Sequence, residues 1–471
     1  MTVEPRDAGK WKREGTDNRN KPAAVAGAGK ARLFPKQAGE TPDRWSWVER
    51  SVWTERMLNR LAESQEQTVW FSLWDKVWNS DNLNQAMLEV ILNGGSAGVD
   101  GQTTGQIKEH WPQEQACLQG ELRQDQYHPQ PARRVWIPKP GTKEQRPLGV
   151  PVVRDRVVQA ALRHVLEPIF ERDFAEQSYG FRPGRNCLHA LQRVEELLMK
   201  GYTWIVDVDL KSYFDTIPRK QLLGEIQKRI VDGKVLKLLE SYLEAGVWET
   251  GKGWQPTEHG TPQGSVISPL LSNIYLNPLD HKMAQAGHEM VRYADDAVVC
   301  CRTETEAQKA LAEIAVWTAT AGLKLHPTKT RIVSAVGKGG FDFLGYHFER
   351  YQTGSGMKWP RDKSRKKLRD KLREKLRRGR SGSIADIIIE INPILKGWLG
   401  YFKFSVPSAM RDADQWVRER IRQIMRRRHK RRGIVKGRER IEYPNRWFET
   451  QGFYSLEKAQ AKWIQSQTGH H

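Results

Sequence analysis

YTWIVDVDLKSYFD, residues 202–215, sets apolar strand formers around Asp207 and Asp209. A period-two strand places those two carboxylates on one face. A second segment, VRYADDAVVCC at 291–301, repeats the combination: apolar runs flank Asp295 and Asp296, which fall at a tight hairpin turn. Adjacent carboxylates at a turn are costly unless something neutralises them. Hard oxygen donors suit magnesium, which needs only a few carboxylates together with substrate phosphates. Two such ions about 4 Å apart can activate an attacking hydroxyl and stabilise a leaving pyrophosphate during in-line displacement. An isolated Asp-Asp is more often a solvated acidic turn, so the reading depends on what surrounds it.

Working outward, strand-like runs alternate with helical segments between about 131 and 350, which predicts a mixed α/β domain. Upstream, Trp53, Met57 and Leu61, then Trp70, Leu73, Trp74 and Val77, recur at helical spacing, and the turn GSAGVDG (95–101) closes that stretch. Residues 1–43 are rich in Gly, Ala, Pro, Lys and Arg and predict a disordered basic leader. After Gly354 come long, basic helices, including KSRKKLRDKLREKLRRGR with one narrow apolar stripe of Leu368, Leu372 and Leu376. A separate helical domain is expected there. It is followed by the basic tract RRRHKRRGIVKGRER (426–440) and a tail carrying Trp447, Phe448, Phe453 and Tyr454.

The 471 residues exceed one comfortable core, so two or three domains are expected. Lys and Arg outnumber Asp and Glu by 77 to 56, a formal charge of +21 that calls for a polyanionic partner. Nucleic acid fits better than an anionic membrane: no run of 18 or more apolar residues exists, and MTVEPRDAGKWKREG lacks the apolar centre of a signal peptide. A cytoplasmic location follows as the expectation. Cys117, Cys187, Cys300 and Cys301 show no paired spacing, which argues against a disulfide framework or zinc ribbon and suggests small core or boundary residues.

Nine motifs, in order, resemble the reverse transcriptases encoded by group II introns. They are GSAGVDG, RRVWIPKPGTKEQRPLGVP, SYGFRPGRN, DLKSYFDTI, HGTPQGSVISPLLSNIYLNPLD, YADD, GLKLHPTKTRI, FDFLGYHF and the maturase-thumb-like INPILKGWLGYFKFS. The resemblance implies an α/β (α+β) right-hand polymerase, with fingers and palm on a mixed or antiparallel sheet and an all-α thumb. Its implied segments are the leader (1–43), a helical extension of the fingers (44–130), fingers and palm (131–353), a maturase thumb (354–425) and a basic DNA-binding tail (426–471).

By the same resemblance, Asp209, Asp295 and Asp296 are the catalytic, metal-holding carboxylates for two Mg2+ ions, Asp209 being chosen over Asp207 because it directly precedes Leu-Lys-Ser-Tyr-Phe. Lys139 and Arg146 flank a Pro-Gly turn and can bring a point charge and a bidentate fork to an incoming triphosphate. Gln263 in TPQG falls where such enzymes contact the nucleotide. Phe214 resembles the steric gate that excludes a ribose 2′-hydroxyl, and Lys329 a cation or proton donor near the leaving pyrophosphate. Arg182 is a candidate contact to nucleic acid. So are Lys366, Lys367, Arg369 and Lys371, on a helix able to follow an A-form backbone, and Arg427 and Arg428 in the terminal basic tract.

The implied partners are a group II intron RNA as template, a DNA primer or target, and deoxynucleotides, with no membrane and an undecided oligomeric state. The implied setting is a bacterial cytoplasm, beside the nucleoid when acting on DNA. Some relatives end in a cysteine-bearing endonuclease. Here no cysteine follows Cys301, so none is expected, a trait shared with class C intron proteins. A retron-like or domesticated enzyme and a splicing cofactor without polymerase activity are the competing readings. The thumb-like segment and GSAGVDG weigh against the first, and the intact aspartates against the second.

Overall fold

The computed structural model describes residues 45–64, 68–138, 145–257, 259–261, 264–337, 339–350, 356–377, 379–431, 433–435 and 437–468. The leader lies outside them, as do Lys139 and Gln263.

Eleven strands are described: β1 (Ala132–Pro138), β2 (Gln145–Val150), β3 (Trp204–Val208), β4 (Val247–Glu249), β5 (Gly253–Gln255), β6 (Glu289–Tyr293), β7 (Asp296–Cys301), β8 (Arg331–Ser334), β9 (Phe341–Phe343), β10 (Tyr346–Arg350) and β11 (Gly356–Pro360). They form three sheets in the orders β2-β1-β4-β5, β6-β7-β3-β8 and β11-β10-β9. The second sheet is antiparallel throughout, whereas β1 pairs with β4 in parallel, so the expected mixture of sheet types is present.

In the central sheet β3 and β7 are apolar on both faces because both faces are covered. Ile205, Val298 and Cys300 pack on one side with the helix Cys187–Met199. Val206, Val299 and Cys301 pack on the other with Leu279 and Met283 and with Ala307, Ala310 and Ile314 of the helix Glu304–Thr320. Each fully buried aliphatic side chain contributes about 1.5–3 kcal/mol, so this two-sided core fixes the strands that carry the aspartates. The N-terminal helices, expected from periodicity, form another core around the helix Val153–Glu171, and Trp53 donates its indole N–H to the His164 carbonyl at 2.9 Å. The GSAGVDG turn is clamped to β1, where Arg133 donates to the Ala97 carbonyl at 2.8 Å.

The C-terminal half packs back onto the rest of the chain. Leu368, Leu372 and Leu376 are buried, but in a core shared with the central sheet: Ile205, Val291 and Val298 belong to the same cluster as Ile387, Ile391, Leu395 and Ile421. The helical region therefore shares its core with the central sheet, and β11, which begins just past 354, pairs with β10. The helix Pro407–Arg428 likewise runs through 426. Past that point the chain folds back: Phe448, Phe453 and Leu456 enter the shared core, and the fully buried Asp414 accepts from Ser455 Oγ and from the backbone N–H of Leu456 at 3.0 Å. Cys300 and Cys301 are core residues and Cys187 is half-buried, but Cys117 is exposed on its helix. No described helix is long and apolar enough to cross a membrane.

Candidate active site

The register of the central sheet brings the two acidic segments together. Val208 of β3 pairs with Ala297 of β7, so continuing the ladder by one residue sets Asp209 opposite Asp296. In the β6–β7 hairpin Tyr293 pairs with Asp296, which leaves Ala294 and Asp295 as a two-residue turn. Ala294 adopts φ +59, a left-handed conformation that costs an L-residue free energy and persists only where neighbours enforce it.

The enforcing neighbours are visible. Arg292, 1 % exposed, donates to Asp280 Oδ1 at 2.7 Å and again to Oδ2, to Asn273 Oδ1 at 3.0 Å, to Ser178 Oγ at 2.8 Å and to the Ala294 carbonyl at 2.9 Å. Asn273 in turn donates to the Gly180 carbonyl at 2.8 Å, and Gly180 lies so close to the backbone of Ala294 that a Cβ there would collide with it. Sequence reading missed Arg292 and Asp280. The available signal was a charged residue inside an apolar strand, since such a residue is almost never fully buried unless paired.

Charge crowding shapes the carboxylates. Asp296 keeps part of its side chain open to solvent. Desolvation, followed by the like charges of Asp295, Asp209 and Asp207, pushes it up to about 6. Desolvation also raises half-buried Asp295, with Asp209 adding to the effect. Asp207 rises to about 6 through burial, against the pull of Arg331, whose Nε stands 3.6 Å from its carboxylate. Asp209 is held by Lys329 at 2.9 Å. In that arrangement, no three His, Cys, Asp or Glu groups among the described residues are poised around a single point as a metal cage. The donor set is nonetheless all-carboxylate and electrostatically crowded, which suits a hard divalent cation.

Phe214 is on the short helix Tyr213–Thr216 after β3, not on the strand, and is half-buried with its ring 5.4 Å from that of Tyr213. Its carbonyl accepts from the N–H of Thr261 at 2.8 Å, so the segment leading to Gln263 is seated beside it. Gly264, at φ +106, packs against the Gly149 carbonyl, where any side chain would clash. This contact joins Gly264 to β2, whose exposed Arg146 pairs across to Ile137.

Arg182 requires correction. It is buried at 6 % exposure, forks onto Glu171 at 2.8 and 3.0 Å, and donates to the carbonyls of Ala175 and Ser178. Its donors are spent within the protein, so it shapes the turn and does not reach nucleic acid. The helix cations fare differently: Lys366, Lys367, Arg369, Lys371, Arg427 and Arg428 are all exposed, although Arg369 also leans over Trp416 and Arg428 donates to the Arg380 carbonyl. Between β8, β9 and the start of the helix Asp362–Lys375 opens a cavity of about 900 Å³, lined by Arg331, His347, Trp359, Lys363 and Arg365.

Residues 137–348 match the family described as reverse transcriptase (RNA-dependent DNA polymerase), and residues 365–442 match the group II intron maturase-specific domain. Protein YkfC of Escherichia coli (strain K12) is 44 % identical over 187 residues, covering 39 % of this chain and 49 % of that protein. Group II intron-encoded protein LtrA of Lactococcus lactis subsp. cremoris is 43 % identical over 166 residues, covering 35 % of this chain and 27 % of that protein. An uncharacterized 91 kDa protein in the cob intron of Schizosaccharomyces pombe is 30 % identical over 363 residues, covering 60 % of this chain and 44 % of that protein. The chain thus spans less than half the length of each of these relatives. With Asp209 set beside the YADD turn, residues 137–348 are similar to reverse transcriptases, and residues 365–442 are similar to the maturase-specific domain of group II intron proteins.

Proposed function

We propose that the chain is an RNA-directed DNA polymerase that copies a group II intron RNA into DNA and, as a maturase, assists the splicing of that intron. The observation that carries this is the meeting of Asp209 with Asp295 and Asp296 at the ends of the paired strands β3 and β7. Primer extension on an RNA template in magnesium tests it directly. Absence of product from the folded protein overturns it.

Asp209, Asp295 and Asp296 would hold two magnesium ions, and Asp209 would have to exchange Lys329 for metal. When bound, the ions would offset negative charge on the triphosphate and make the attacking primer hydroxyl easier to deprotonate. Lys329, paired with Asp209 here, would serve as a cation and proton donor beside the leaving pyrophosphate. Lys139 and Arg146 would bind the triphosphate, and Gln263 the sugar and phosphate. The partners are intron RNA, a DNA primer or target, and deoxynucleotides. A class C-like protein acting beside the nucleoid in a bacterial cytoplasm is the setting that accords with these readings.

Phe214, seated against the Gly260–Thr261 segment, would close the space beside the sugar. Phe214→Val should therefore raise ribonucleotide incorporation relative to deoxynucleotide by at least about tenfold, an effect on the scale of one filled or emptied methylene pocket. An unchanged ratio would make the ring a packing residue only.

The maturase reading rests on fixed cations. Neutralising Lys366, Lys367, Arg369 and Lys371 together should raise the magnesium needed for intron excision and weaken the salt dependence of RNA binding, because fewer counterions are released. Splicing equal to the parent protein's would remove the thumb helix from the intron contact.

A further inference from the structure

The SYGFRPG segment (178–184) keeps one side chain that neither its fold nor the proposed chemistry has used. Phe181 is 43 % exposed and its backbone sits at φ +57. A bulky residue with positive φ is a genuine outlier, and a turn of this shape is ordinarily made with Gly or Asn. Both of its neighbours are fixed. Gly180 lies against the catalytic turn, with its carbonyl bonded to Asn273, and Arg182 is locked onto Glu171. Just before them, Tyr179 donates its N–H to the Arg292 carbonyl at 2.8 Å, tying the segment to β6. The backbone is thus pinned on each side, and the strain presents an apolar ring to solvent instead of hiding it. That ring stands 6.4 Å from the ring of Tyr293, two residues before Asp295. Strain of this kind, held by over-determined surroundings, marks a functional position.

We infer that Phe181 is a contact residue for the terminal base pair of primer and template, its ring stacking on a base of that pair beside Tyr293 and favouring matched over mismatched ends. This rests on the polymerase reading: a primer whose 3′-hydroxyl reaches the Asp295–Asp296 turn must lay its last pair against the residues flanking that turn. The partner is a flat, stacked pair of bases, for which an exposed aromatic ring is the fitting surface.

Phe181→Gly separates this role from a structural one, because glycine removes the ring and relieves the positive-φ strain together. The expected result is a melting temperature equal to or above the parent's. Extension efficiency from a matched terminus should fall about tenfold, the scale of one lost stacking contact, and discrimination against a mismatched terminus should narrow. Phe181→Tyr should keep the parent ratio. A lower melting temperature with unchanged discrimination would make the ring a packing plug and overturn the inference. Emission of 2-aminopurine at the primer terminus, compared between parent and Phe181→Gly, reads the same contact without turnover. An inactive parent protein would thus sink the polymerase reading while the contact is still measured. Identical emission from the two proteins would refute the contact.

Discussion

Asp295→Ala is expected to lower DNA synthesis on an RNA template by about 10³-fold while leaving the fold and RNA binding in place, since it removes a charge-stabilising group aimed at the reacting phosphates. The carboxylate adds little to stability: it sits in a two-residue turn among like charges, and its raised pKa means that ionising it in the folded state is unfavourable. The same electrostatics give a signed test at the next position. Folded Asp296 is raised to about 6, so at pH values between the ordinary carboxylate range and 6 the folded state binds more protons than the unfolded chain, and stability falls as pH rises through that window. In metal-free, chelating buffer, Asp296→Asn should therefore melt above the parent at pH 7, with the gap closing below about pH 4. Undiminished polymerisation by Asp295→Ala would end the catalytic assignment. A fall in the melting temperature of Asp296→Asn at pH 7 would mean that neither burial nor the neighbouring carboxylates disfavour the charge on Asp296.

Why some of this was legible in the sequence and some was not comes down to distance along the chain. Asp207, Asp209, Asp295 and Asp296 stand out because carboxylates inside apolar runs are unusual, and the alternation that names the strand also names the face. The leucine stripe at 368, 372 and 376 likewise announces burial, but a stripe does not say what it is buried against, and the partner turned out to include the central sheet. Arg182 misled for a related reason. Its type and its turn suggest a free cation, and only the fold reveals Glu171 beside it. The charge of the terminal segment is local information and reads as a basic arm. The bond from Leu456 to Asp414, which turns that arm into the edge of a core, spans 42 residues.

The second large effect is expected at the Arg292–Asp280 pair, whose members are 1 % and 0 % exposed. Truncating one partner strands an uncompensated charge in the core. Asp280→Ala and Arg292→Met should therefore each cost about 3–5 kcal/mol in denaturant unfolding. Replacing both, as Arg292→Met with Asp280→Leu, removes the two charges together and should recover much of that loss, because an apolar pair of similar volume avoids the desolvation that the ion pair must offset. Polymerase activity should not recover with stability. The guanidinium also donates to the Ala294 carbonyl, to Asn273 and to Ser178, so the double variant lacks the anchor that keeps Ala294 at φ +59 and Asp295 at the tip of its turn. Folding and activity are thereby separated in one set of four proteins, measured by denaturant unfolding and by primer extension. If Arg292→Met is as stable as the parent, the buried pair is not what holds this part of the core. If the stabilised double variant extends primers at the parent rate, the arginine supports the fold alone and the turn keeps its shape without it.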